Sequence, residues 1–99
     1  MSTLQNSLAA IDGVQVVWSY DRRGNILSKT ISDYTDEKLK EISTLLASLA
    51  FMHAKNSGPL GKLHYAYKHH QLWTFADGEN WTALIADEDA DIASQIAGV

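Results

Sequence analysis

The sequence predicts a mixed α/β domain of the α+β type, built on a largely antiparallel five-stranded sheet. Three observations predict it. Two β-rich runs, Val14–Tyr20 and Ile26–Ile31, flank a turn that contains Gly24. A single amphipathic stretch then runs from Thr35 to about Asn56, and three further strand-like runs follow as a meander. Hairpin links make successive strands antiparallel. The predicted order is α-β-β-α-β-β-β-α in one domain spanning 1–99, because 99 residues leave no room for a second core.

Leu4, Leu8 and Ile11 recur at spacings of four and three, which predicts a short first helix with one apolar stripe. Gly13 is expected to end it, because glycine tolerates the positive φ of a helix cap. Val14–Tyr20 is rich in β-branched and aromatic residues and reads as a strand. Alternation puts Val14, Val16, Trp18 and Tyr20 on one face, with Gln15, Val17 and Ser19 on the other. Asp21-Arg22-Arg23-Gly24-Asn25 makes the hairpin connection, with Gly24 in the left-handed conformation.

The central helix has the clearest signals. Thr35 is its predicted N-cap, and Asp36 and Glu37 sit in the first turn, where the helix dipole favours carboxylates. Tyr34 and Leu39 have the spacing of a hydrophobic staple, and Ser57-Gly58-Pro59 stops the helix. Leu39, Ile42, Leu46, Leu49 and His53 form a 3-4-3-4 seam, which Leu45, Ala47, Ala50, Phe51 and Met52 widen. A helix with a single buried face needs a narrower stripe. Cover on two sides is therefore expected, by the sheet on one side and by a second subunit on the other; the alternative is a well-covered helix within a monomer.

After Gly61, Lys62–Lys68 alternates Leu63, Tyr65 and Tyr67 against His64, Ala66 and Lys68. His69-His70 turns into Gln71–Ala76, and Asp77-Gly78-Glu79-Asn80 is a second hairpin of the Asp-Gly type. Trp81–Ala86 is the last strand. The acidic run Asp87–Asp91 precedes Ile92, Ala93, Ile96 and Ala97, the stripe of a short terminal helix.

Composition narrows the function. A chain this short buries about 65% of the surface that it exposes when unfolded, so dimerisation is a ready source of extra stability. The chain has no cysteine, which excludes disulfides and thiolate metal sites and fits a cytoplasmic setting. Met1–Asn6 lacks a basic run and no apolar core follows, so no signal peptide is expected. No stretch reaches the ~20 apolar residues of a membrane helix. With a formal charge of −4 and no basic stripe, nucleic acid is not an expected partner.

Several motifs invite a chemical reading. His64, His69 and His70 crowd one strand and its turn, but adjacent histidines in a tight turn rarely aim at one point, so no metal is expected. The run from Asp87 has Ile92 where a calcium loop needs glycine and Gly98 where it needs glutamate. Arg22 and Arg23 at the hairpin tip invite comparison with an arginine finger, although solvated turn arginines are common. There is no phosphate-binding glycine loop and no nucleophile elbow. Trp18, Tyr65, Tyr67, Trp73, Phe75 and Trp81 lie in strands and are mostly core; Trp73 and Phe75 share a face, as do Tyr65 and Tyr67, and such pairs are candidates for a partner patch.

Read together, Ile11-Asp12-Gly13-Val14, Asp21-Arg22-Arg23-Gly24, the Asp36-Glu37 helix start, Gly61 and Leu84-Ile85-Ala86-Asp87-Glu88-Asp89-Ala90 carry a family resemblance. From about Leu4 to Ala97 the chain resembles the roadblock/dynein-light-chain domain, in its small prokaryotic form associated with Ras-like GTPases; it departs in its short first helix. The resemblance implies a five-stranded antiparallel profilin-like sheet, with the long helix on one face and the terminal helices on the other. It also implies a homodimer in which the third strands pair and the long helices lie side by side.

Ile42, Leu46, Leu49, His53, Leu63, Tyr65 and Tyr67 are then the expected dimer interface, and Arg22, Arg23, Trp73 and Phe75 the expected partner-binding residues. The implied function is non-enzymatic: a regulator that binds a Ras-like small GTPase and modulates its GTP cycle, with no cofactor of its own. A scaffold or light-chain subunit that pairs with related domains is the alternative. A small-ligand sensor is a third reading, which the filled apolar seam disfavours.

Overall fold

A computed structural model describes residues 3–30, 32–57, 62–67, 69–77 and 79–95, without the side chains of 3, 4, 50, 51, 53–57, 62, 63, 65–67, 77 and 93. The elements in chain order are α1 (Thr3–Ala9), β1 (Val14–Tyr20), β2 (Ile26–Lys29), α2 (Asp36–Ser57), β3 (Lys62–Tyr67), β4 (His70–Asp77), β5 (Asn80–Asp87) and α3 (Ile92–Gln95). The five strands form one sheet in the order β2-β1-β5-β4-β3, and every neighbouring pair is antiparallel. The chain leaves the sheet at β2, crosses it as α2, and re-enters at the opposite edge as β3.

Both faces of the sheet are covered. On one, Leu39, Ile42 and Leu46 of α2 pack with Val16, Trp18, Tyr20, Leu72, Ala83 and Ile85. On the other, Leu8 of α1 and Ile92 of α3 pack with Val17, Trp73, Phe75, Leu84 and Ala86. Each fully buried Val, Leu, Ile or Phe side chain contributes about 1.5–3 kcal/mol. Polar groups inside find partners: the Trp18 indole N–H donates to Ser43 Oγ at 2.6 Å, and Gln5 donates to the Val17 carbonyl at 3.3 Å.

The strand prediction for β1 holds in extent but not in every facing. Val14 lies with Val17 rather than with Val16, because the β1–β5 register shifts between Val14 and Val16. A bulge there inserts one residue and reverses the alternation. The first helix is also shorter than its apolar spacing suggests. It ends at Ala9, and the chain then closes two tight turns, Ile11 N–H to the Leu8 carbonyl and Val14 N–H to the Ile11 carbonyl, each at 3.2 Å.

Gly13 therefore serves the approach to β1 rather than the helix cap. Its φ is +90°, and a Cβ there would lie 2.7 Å from the Ala90 Cβ. Gly24 has a φ of +84°, as the hairpin requires, and its missing side chain has a second use. A Cβ would sit 2.8 Å from both Cα and N of Thr44, so glycine lets the hairpin rest on the backbone of α2.

Helix α2 begins as predicted. Thr35 Oγ1 accepts the Lys38 N–H at 3.1 Å, and Tyr34 packs on the cluster that contains Leu39. Lys29 of β2 forms an ion pair with Asp36 in its first turn. β2 ends at Lys29, short of the predicted Ile31, which lies outside the described residues. Ile96 and Ala97 of the predicted terminal stripe lie outside them too.

Tyr20 gives the fold a pH dependence. Burial pushes its phenol up to about 12 from 10.0, against the opposing hydrogen bond with Thr74 Oγ1 at 2.6 Å. The folded pKa exceeds the unfolded one, so the associated stability is complete below pH 10 and is lost as pH rises through 12. The expected loss is on the order of 2 kcal/mol. Urea unfolding across that interval should show Tyr20→Phe, which cannot ionise, less alkali-sensitive than the wild type; equal sensitivity would contradict the assignment.

Candidate interaction surface

The long helix has an inner and an outer stripe. Leu39, Ile42, Ser43 and Leu46 are buried against the sheet. Leu45 and Met52 lie about a third of a turn round from them and are 59% and 58% exposed. Leu49 is half-buried between the stripes. Glu41 and Ser48 complete the outer face, and the Ser48 hydroxyl returns to the Thr44 carbonyl at 3.0 Å. The outer stripe is thus apolar at Leu45, Leu49 and Met52.

This geometry corrects part of the expected interface. Ile42 and Leu46 are 6% and 1% exposed within their own chain, so they belong to the core and are not available to a second subunit. Both helix faces carry leucine, and seam spacing alone cannot tell which one the sheet takes. The side chains of His53, Leu63, Tyr65 and Tyr67 lie outside those described. The backbone of β3 is described, and it forms one edge of the sheet, paired with β4 alone among the described residues.

Trp73 and Phe75 are likewise removed from the partner patch. They are 8% and 2% exposed, beneath α1 and α3, with rings stacked at 6.4 Å. His64, opposite Trp73 in the ladder, stacks on its outer side with ring centres 4.0 Å apart. The Trp73 indole donates to Gln71 Oε1 at 3.1 Å, and Gln71 Nε2 donates to the carbonyls of Asp87, Glu88 and Ala90 at 3.0, 3.2 and 2.7 Å. Gln71 thereby holds the loop before α3, a role the sequence did not suggest.

Arg22 and Arg23 are exposed at the hairpin tip. The Asp21 carboxylate beside them caps the turn, accepting the Arg23 and Asn25 N–H groups at 2.9 Å each and the Asn25 side-chain amide at 3.1 Å. Those bonds to Asn25, chiefly its backbone N–H, hold the Asp21 pKa below its usual range. Among the described residues, no group of three or more potential ligands could hold a metal ion. His69 Nδ1 lies 3.9 Å from Glu88 Oε2 on the surface. The acidic run behaves as a loop and helix start, with Asp91 Oδ1 accepting the Ser94 N–H at 3.3 Å.

A cleft of about 520 Å³ beside Gln15, Ser32, Asp33 and Tyr34 lies at the loop before α2, not between helix and sheet. Its polar side chains engage one another: Tyr34 OH donates to Gln15 Oε1 at 3.0 Å, and Gln15 Nε2 donates to Asp87 Oδ1 at 2.6 Å. No helix among the described residues is long and apolar enough to cross a membrane.

No protein-family model matches the chain, and no curated protein matches it by sequence. Solved structures do match. The Roadblock/LC7 domain from Streptomyces avermitilis aligns with a TM-score of 0.74 at 11% identity, covering 91% of this chain and 79% of that one. The chain has the roadblock/LC7 fold. Two further roadblock-fold neighbours agree. The gliding protein MglB from Thermus thermophilus has a TM-score of 0.74 at 18% identity, over 95% of this chain and 75% of that one. An MglB with a tetrameric arrangement has 0.75 at 17%, over 95% and 74%.

The two stripes of α2 in this roadblock fold predict opposite results for neighbouring leucines. Leu46→Glu should abolish folding, because it strands a carboxylate in the core. Leu45→Glu should leave the far-ultraviolet dichroism intact and lower stability by less than about 0.5 kcal/mol in the monomer. A Leu45→Glu chain that unfolds, or a Leu46→Glu chain that does not, would overturn the division of the helix.

Proposed function

We propose that this chain is a non-enzymatic homodimeric regulator that binds a Ras-like small GTPase in the cytoplasm and modulates its GTP cycle. The observation that carries the reading is the outer stripe of α2, Leu45, Leu49 and Met52, on a roadblock fold whose β3 edge has no strand beyond it among the described residues. An exposed edge and an exposed apolar stripe both favour cover. A second copy supplies it if α2 packs on α2 and β3 pairs with β3 across a two-fold axis. Leu63, Tyr65 and Tyr67 of β3 and His53 of α2 then join the interface.

Within this reading the partner performs the phosphoryl chemistry, and this chain contributes shape and contact. It has no phosphate-binding glycine loop of its own. The core between sheet and α2 is filled by Trp18, Tyr20, Leu39 and Leu46, all at most 1% exposed, which counts against a ligand sensor.

Affinity capture from cognate lysate, loaded with either GDP or a non-hydrolysable GTP analogue, tests the proposal. A small GTPase enriched in one nucleotide state, identified by mass spectrometry, is the expected result. Recovery of related domains alone, indifferent to nucleotide, would contradict it and favour the scaffold alternative.

A further inference from the structure

Two features at opposite ends of the sheet are complementary, and the α2–β3 dimer uses neither. The first is on the β1–β2 hairpin. Ser19 pairs with Ser28 and Tyr20 with Ile26, so the ladder skips Leu27 at a bulge in the edge strand. Leu27 is 52% exposed. A bulge in an edge strand re-aims a side chain and blunts pairing with a further strand, which makes Leu27 a knob rather than part of an extendable edge. Arg22 and Arg23 stand exposed on the same hairpin, and Lys40 is drawn to it by Asn25 Oδ1 at 2.6 Å.

The second feature is a shallow cleft of about 460 Å³ between α1 and α3, lined by Ser7, Ala10, Ile11, Asp12, Asp91 and Gln95. Ala10 and the half-buried Ile11 give it an apolar part, and Asp12 and Asp91 give it carboxylates. Asp87, Glu88 and Asp89 are exposed nearby and add to the negative potential of that end. The cleft and the hairpin are separated by the length of β1, seven residues, which is about 23 Å at the strand rise. A hairpin therefore cannot reach the cleft of its own chain.

We propose that a second copy of this chain docks its β1–β2 hairpin into the α1–α3 cleft of the first, with Leu27 against Ile11 and with Arg22 and Arg23 paired to Asp12 and Asp91. Charge complementarity selects the occupant: a hairpin with two arginines at its tip and one exposed apolar side chain in its second strand meets a mostly polar cleft that carries two carboxylates and one half-buried isoleucine. The contact is heterologous, so each docked chain still presents its own hairpin, and association continues into open chains unless a ring closes. Its ionic component weakens as salt screens the exposed charges.

Complementation separates this contact from any two-fold one. One protein carries Arg22→Glu and Arg23→Glu, which disables the hairpin and keeps the cleft; another carries Asp12→Arg, which disables the cleft and keeps the hairpin. By sedimentation velocity at low ionic strength, the wild type should form concentration-dependent species larger than a dimer that dissolve at about 0.5 M salt. Neither variant alone should form them, whereas mixing the two, which offers the intact hairpin of one to the intact cleft of the other, should give species larger than either forms alone. Leu27→Ser should weaken wild-type association by about tenfold. A wild type that never exceeds a dimer, variants that associate as the wild type does, or a mixture no larger than its components would each overturn the proposal.

Discussion

The structure depends on two central strands buried on both faces. Val16, Val17, Trp18 and Tyr20 of β1 and Thr82–Ala86 of β5 are all sealed from solvent. Neither strand can leave one side wet, as many antiparallel strands do. The chain must therefore supply two layers of cover from 99 residues, one long helix and two short ones. Polar groups inside are accepted only when satisfied: Tyr20 meets Thr74, and the Trp18 indole meets Ser43. Gly24 follows from the same constraint, because α2 lies close enough on the sheet for its backbone to touch the hairpin.

Much of this was legible in the sequence because the signals were local. The hairpin glycine, the Thr35 cap and the Tyr34 staple each act within a few residues, and the structure carries all three. The facing of Val14 was not legible, because a bulge has no fixed residue signature. Nor was the end of the first helix: Ile11 keeps helical spacing yet sits in a turn that folds back on Leu8. For the same reason Gly13 looked like a cap when its use is the close approach of Ala90.

The candidate surface was the less legible part. Ile42, Leu45, Leu46 and Leu49 are chemically alike, and which of them the sheet takes is a tertiary fact. The structure gives the sheet Ile42 and Leu46 and leaves Leu45 outside. Trp73 and Phe75 looked available because β4 could have faced solvent on one side; α1 and α3 close that side. Leu27, by contrast, is one aliphatic residue in a short strand and carries no local signal; only the skipped ladder position shows how it is presented.

In the proposed dimer the outer stripe of α2 and the β3 edge of the sheet are both covered by the second copy. Amide hydrogen exchange along β3 measures that most directly. The β3 amides not bonded to β4 should be protected in concentrated protein, exchange rapidly on dilution, and lose protection in Leu45→Glu without loss of protection in β1 and β5. Rapid exchange of those amides at every concentration, with the rest of the sheet protected, would contradict it.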